Sequence, residues 1–250
     1  IVTGTYVLIT EGNTAANSGF IVDTTGVITP DVTAITWTTF STSVVGVTGM
    51  SNTAVGQSAN AAITTGTSDT SLGVNAGKSQ TSATNNTSLG FSALELATTG
   101  SGNTSVGSGA MSTTGAAPTN ATAVGVNSLK NLTTGANNTA IGHSSLTTLT
   151  TGSRNTASGN LSLAALLNGN DNTATGYSSG NLLTSGLNNT SVGSYSLAAT
   201  TTGNNNTAHG KDALQLNSTG SGNTATGYRA LESMSGSYST ASGFQALLNT

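Results

Sequence analysis

Asn138-Thr139-Ala140-Ile141-Gly142 is followed seventeen residues later by Asn155-Thr156-Ala157-Ser158-Gly159, and after another seventeen by Asn172-Thr173-Ala174-Thr175-Gly176. Variants of this phrase recur twelve times, with their glycines running from Gly56 to Gly243. Every step is 17 residues, except 18 into Gly125 and 16 into Gly243. A period this short and regular marks a solenoid, in which each repeat is one rung and depends on its neighbours for a core. Such a chain offers a shaft or a surface rather than a pocket.

Taking the Asn as the first position and the Gly as the fifth, the rungs align from about residue 47 onward. The second position is Thr in all twelve rungs, from Thr53 to Thr240, and the third is always Ala or Ser. The fourth is aliphatic in seven rungs (Val55, Leu72, Leu89, Val106, Val124, Ile141, Val192), and the ninth is Leu in most, as in Leu94, Leu129 and Leu146. A second glycine, such as Gly100, Gly135 or Gly152, lies seven residues before the glycine of the phrase; Ala83 and Pro118 stand in its place in two rungs. The Thr-x-aliphatic run favours strand, and the fifth-position Gly permits a turn or a close approach. Gly, Thr and Asn, which fill every rung, argue against helix. The expectation is a coil of two short strands and two turns. With strands about 4.8 Å apart, twelve rungs give a rod of roughly 55–60 Å.

The composition fits an ordered stack better than a globule or a disordered chain. Leu, Ile, Val and Phe make up less than a fifth of the residues, below the usual level for a packed domain. Disorder also calls for high net charge, and here only 5% of residues are charged, with a net charge of -3. Five scattered cations provide no stripe for phosphates, which argues against nucleic acid. No apolar run reaches the roughly 20 residues of a membrane helix, so membrane insertion is not expected. Without cysteine there is neither a disulfide framework nor a thiolate metal site. No signal peptide is visible, and the absence of an initiator Met suggests a piece of something longer.

Residues 1–46 read differently. Short β-branched and aromatic runs, Tyr6 to Thr10, Gly19 to Val22 and Ala34 to Phe40, are separated by polar turns. They predict a small antiparallel β module, followed by a β-roll of twelve repeats over 47–250. Within the roll, mostly Ala, Ser, Thr and one Leu per rung lie between the strands. At about 25 cal/mol per Å² this is little burial for the backbone entropy fixed, about 1–2 kcal/mol per residue. A Leu column on the outside would be an apolar stripe too long for a soluble monomer. Parallel association, with the Leu and small-residue columns facing one axis, is therefore expected.

The rung phrase, as in Asn120 to Ser128 and Asn138 to Ser145, resembles the head repeats of trimeric autotransporter adhesins. That resemblance implies a left-handed parallel β-roll with three chains about one axis. The longer form, with Thr-Thr-Gly between rungs and Ala-Leu after the turn, is more similar to repeats in bacteriophage tail fibres. So are Tyr6 to Asn13, Ser18 to Phe20 and Thr33 to Ser41, which resemble a small β module of tail-fibre proteins. The chain shows neither a coiled-coil stalk nor a membrane anchor.

The resemblance implies a virion location, outside the cell, and a homotrimer joined to other tail or baseplate proteins. Its outer contact would be a host-surface glycan or protein. The alternative location is the bacterial cell surface, as an adhesin head.

Little in the chain suggests catalysis. His143 and His209 occupy different rungs and different positions, and the eight carboxylates are dispersed, with no pair spaced for glycoside hydrolysis. Glycine-rich phrases such as Thr99 to Gly107 lack the Lys-Ser/Thr ending of a phosphate loop. Asp69 alone holds the first position, where calcium-binding β-rolls need an Asp in each rung. The expectation is therefore no enzyme, no cofactor and no metal. Phe91, Tyr177, Tyr195, Tyr228 and Phe244, at the variable sixth and seventh positions, are the candidates for receptor contact, with packing over neighbouring rungs as the alternative. Stacked Asn and Thr columns serve either as ladders between rungs or as a flat surface for glycan or ice. The Thr column sits beside Ala/Ser and Gly, and the Thr-Thr pairs fall in the corner, which weighs against ice binding.

Overall fold

The second, third and fourth positions of each rung form a three-residue strand, and period-two alternation decides where they point. Thr139-Ala140-Ile141 is representative: Ala140 is buried while Ile141 is exposed. In a computed structural model that describes residues 51–112 and 118–248, twelve such strands run from β1 (Thr53–Val55) to β12 (Thr240–Ser242). They form one parallel sheet in the order of the chain. The module expected at 1–46 lies outside the described residues. Rungs 1 to 12 begin at residues 52, 69, 86, 103, 121, 138, 155, 172, 189, 206, 223 and 239.

Register is uniform. Thr139 pairs with Thr156, Ala140 with Ala157 and Ile141 with Ser158, and the same correspondence holds from rung to rung. The long fourth rung does not disturb it, since Thr104 still pairs with Thr122. The short eleventh does not either, since Thr224 pairs with Thr240. Irregular length is absorbed away from the strand.

The stack is a parallel β-solenoid, as expected, but each described rung holds one strand rather than two. Turns replace the second. In rung 5 the Ser128 N–H donates to the Gly125 carbonyl at 3.3 Å, and the Leu132 N–H to the Leu129 carbonyl at 3.2 Å, making two tight turns in succession. Inter-rung bonds continue through them: Leu129 N–H donates to Ser145 O at 3.0 Å, and Thr133 N–H to Thr150 O at 2.8 Å. The backbone is satisfied by the next layer even where no strand is formed.

The destination of the Leu column corrects the sequence expectation. Leu94, Leu129, Leu146 and Leu214 are each 0% exposed within a single chain. They do not await a partner. The seventh and ninth positions have positive φ in every rung, for example Asn127 at 56° and Leu129 at 47°, which turns the ninth side chain inward. This conformation costs a residue with a Cβ about 1–2 kcal/mol. Burying a Leu gives about 1.5–3 kcal/mol, so the inward turn is held by its core contacts. A second inner column, Leu132, Leu149, Leu166 and Leu183 at the twelfth position, lies beside it.

Two glycine columns are required for different reasons. Gly125 has φ of 135°, and a Cβ there would lie 2.5 Å from the carbonyl oxygen of Gly142 in the next rung. Gly152, by contrast, has no positive φ, but a Cβ would strike the carbonyl oxygen of Gly169. The first is a matter of conformation and space, the second of space alone.

The first-position Asn column fastens the layers from within. Asn155 donates from Nδ2 to the Gly169 carbonyl at 2.8 Å, and its own N–H donates to Asn138 Oδ1 at 2.9 Å. The Asn172 N–H donates in turn to Asn155 Oδ1 at 3.0 Å. These side chains are buried, so this column is a ladder and not a recognition surface.

Candidate recognition face

With Asn, Ala/Ser and Leu columns inside, the second, fourth and sixth positions are left to form the outer face of the sheet. The second-position Thr side chains project from it in register, exposed or half-buried in every rung. Two rungs add a second Thr on the same strand, Thr173 with Thr175 and Thr224 with Thr226.

The face changes character along the stack. In rungs 1 to 6 the fourth position is Val55, Leu72, Leu89, Val106, Val124 and Ile141, all exposed except the half-buried Val106. The sixth position adds Val74, Phe91 and Val126, of which Phe91 is 59% exposed. From rung 7 onward the fourth position becomes Ser158, Thr175, Val192, His209, Thr226 and Ser242. One half is aliphatic; the other is polar with aromatics.

Four of the five predicted contact residues fall in the second half and meet in pairs. The Tyr177 and Tyr195 rings pack edge to face with centroids 5.2 Å apart. Tyr228 and Phe244 are tilted at 5.4 Å. Phe91 is distant from both pairs, in rung 3. These four thus pack over neighbouring rungs, the alternative weighed from sequence, and stay exposed while doing so. Phe244 is 73% exposed and still touches Tyr228.

Charges join the two pairs. Lys211 Nζ lies 5.4 Å from the centre of the Tyr228 ring and 2.8 Å from Asp212 Oδ2. Arg229 lies 5.9 Å from the same ring and makes a two-pronged bond to Glu232, with Nε 2.7 Å from Oε2 and Nη2 2.9 Å from Oε1. Hydrogen bonding with Tyr177 raises the pKa of the Tyr195 hydroxyl, and Asp212 and Lys211 are close enough to act on it. Asp212 raises the pKa of Lys211, chiefly through their hydrogen bond, as Glu232 does for Arg229. Both cations remain charged and paired.

Sequence reasoning missed Tyr238. It is 87% exposed and, as the last residue of the short eleventh rung, stacks on Gly222, the last residue of the rung before. Its signal was an aromatic in a column otherwise rich in Asn, Asp and Gly.

His143 and His209 are exposed and four rungs apart. Among the described residues no three His, Asp or Glu side chains converge as metal ligands, and no helix is long and apolar enough to cross a membrane. No protein-family model, curated protein or solved structure matches this chain.

Proposed function

We propose that the chain is a non-enzymatic structural segment of a bacteriophage tail fibre that contributes to attachment at the host surface. The observation that carries this reading is the in-register outer face of a twelve-rung stack, with exposed side chains repeated at every layer. A stiff rod of this kind holds many weak contacts in fixed order, and repetition turns them into avidity. The resemblance of its repeats and of residues 1–46 to tail-fibre sequences supplies the biological setting.

Association as a homotrimer remains part of the proposal, on a different surface from the one expected. The ninth-position Leu column is internal, so the exposed fourth-position stripe of rungs 1 to 6 is the surface that benefits from cover. Three parallel copies joined along that stripe would bury it. Light scattering on the purified chain is expected to give the mass of three copies; a stable monomer would rule the trimer out. Immunogold labelling with antibody to the rod tests the fibre assignment. Label along fibres of virions supports it, while label confined to bacterial envelopes would replace it with an adhesin head.

The Thr column supports a second reading, an ice-binding face, because it is regular, outward and nearly free of charge on its own strand. Thermal hysteresis of the purified chain decides that reading, and its absence removes it.

A further inference from the structure

Rungs 8 to 12 carry an outer strip of rings and charged groups. It runs from Tyr177 to Tyr195 through a 5.2 Å ring contact, continues in the next layer with Lys211 and Asp212, reaches Tyr228 beneath Lys211, and ends on Phe244. Four steps of about 4.8 Å make it roughly 19 Å long, enough for a short run of sugar rings laid along the stack. Resting on the attachment reading, we propose that this strip binds a neutral polysaccharide chain, with Tyr177, Tyr195, Tyr228 and Phe244 as its stacking surfaces.

Three observations select that partner. First, the rings are exposed yet braced by one another, so their positions are set before binding and less side-chain freedom is lost on contact. The C–H faces of sugar rings are apolar and slightly positive, and they pack against the electron-rich faces of aromatic rings. Second, the charges of the strip cancel. Lys211 is paired with Asp212 and Arg229 with Glu232. The carboxylates are largely covered, but each sits against its cation and offsets its charge, so an anionic chain gains little, whereas sugar hydroxyl groups find donors in the more exposed Lys211 and Arg229. Third, the fourth position along these rungs is mostly hydroxyl or imidazole (Thr175, His209, Thr226, Ser242). Around Phe91 the fourth position is aliphatic instead (Leu72, Leu89, Val106), which suits that half to protein contact.

Native affinity electrophoresis of the whole chain tests the proposal, in gels cast separately with dextran, yeast mannan, galactomannan and mixed-linkage β-glucan, and with heparin and alginate as charged counterparts. At least one neutral polymer is expected to retard the chain. The combined variant Tyr177→Ala, Tyr195→Ala, Tyr228→Ala, Phe244→Ala is expected to run as it does without polysaccharide. The three Tyr→Phe changes together, and Phe91→Ala, should preserve retardation, which guards against a misfolded alanine variant. Migration unaffected by all four neutral polymers would overturn the proposal. So would equal retardation by heparin or alginate, or retention by a folded alanine variant. If the alanine changes instead shift the sedimentation coefficient toward a smaller assembly, the strip contacts a second copy and the glycan assignment fails. Immunogold labelling is read independently, so a chain found on virions but blind to every polymer sinks the sugar and keeps the fibre.

Discussion

Rungs 1 and 2 share a backbone with rungs 5 to 7 but fill it differently. In the middle of the stack the ninth and twelfth positions are Leu129 and Leu132, Leu146 and Leu149, Leu163 and Leu166, all buried in one cluster. At the amino end the ninth positions are Asn60 and Gly77, and the twelfth are the buried Ile63 and Gln80. Ser71 donates to Asn60 Oδ1 at 2.6 Å. Asn60 Nδ2 and both amide atoms of Gln80 are buried without a hydrogen-bond partner. Even so, Thr53 pairs with Thr70 in the same register as elsewhere. The contrast separates two roles. Backbone bonds and the Asn ladder set the geometry of a layer, and the Leu columns set how strongly it coheres.

The largest effect should come from imposing the amino-end deficiency on the middle. Leu146→Ala removes a side chain that is 0% exposed, and is expected to cost about 2–5 kcal/mol. Thermal unfolding followed by circular dichroism reads the loss, with faster amide exchange concentrated in rungs 5 to 7. A change confined to the ends of the stack would mean that the Leu columns do not govern cohesion.

The next prediction repairs the weak end. Asp69 takes the place of Asn in the ladder, accepting the Asn86 N–H at Oδ1 at 2.8 Å, while its Oδ2 is buried without a partner. In neighbouring rungs the corresponding Nδ2 donates to a carbonyl, Asn52 to Gly66 at 2.8 Å and Asn86 to Gly100 at 2.9 Å. Burial raises the Asp69 pKa, opposed by the hydrogen bonds from Asn86. The folded chain therefore holds this proton more tightly than the unfolded chain. Stability falls as pH rises from the ordinary carboxylate value through the raised one, and the penalty is complete above it. Asp69→Asn should add about 1–3 kcal/mol at neutral pH, a gain that fades on acidification. Unfolding midpoints of both proteins across pH check the sign. A gain independent of pH would show that the carboxylate is not the cause.

The smallest effect belongs to the outside. Arg154 bonds Asp171 of the next rung through two contacts of 2.6 and 2.7 Å, and the pairing raises the pKa of the first and lowers that of the second. Both groups are exposed, where such pairs contribute little. Arg154→Ala should leave the midpoint unchanged within error. A clear drop would show that surface ties add to the internal columns.

Much of this architecture was legible in the repeat. The constant small third position, Ala140 and its equivalents, announced an inward column, and strict alternation then sends Thr139 and Ile141 outward. The fate of Leu146 was not legible. A bulky residue with φ of 49° runs against local preference, and only the packing of neighbouring layers makes it favourable. The seventeenth position gave a clearer hint, since Asn85, Asn137 and Asn205 suit positive φ. The two-strand expectation failed for a related reason: residues after the fifth position bond to the next layer through turns, which leave no alternating pattern to read. The aromatic candidates were found by exposure at variable positions, but their pairing depended on which rungs stand next to each other and on ring orientation.

Each strand touches only its predecessor and successor, and all meet through the same residues. A replication slip that drops or duplicates one unit would therefore change the reach of the molecule by a single step while leaving every joint as it was. Length becomes a trait that selection can adjust in small equal increments, without inventing a new contact.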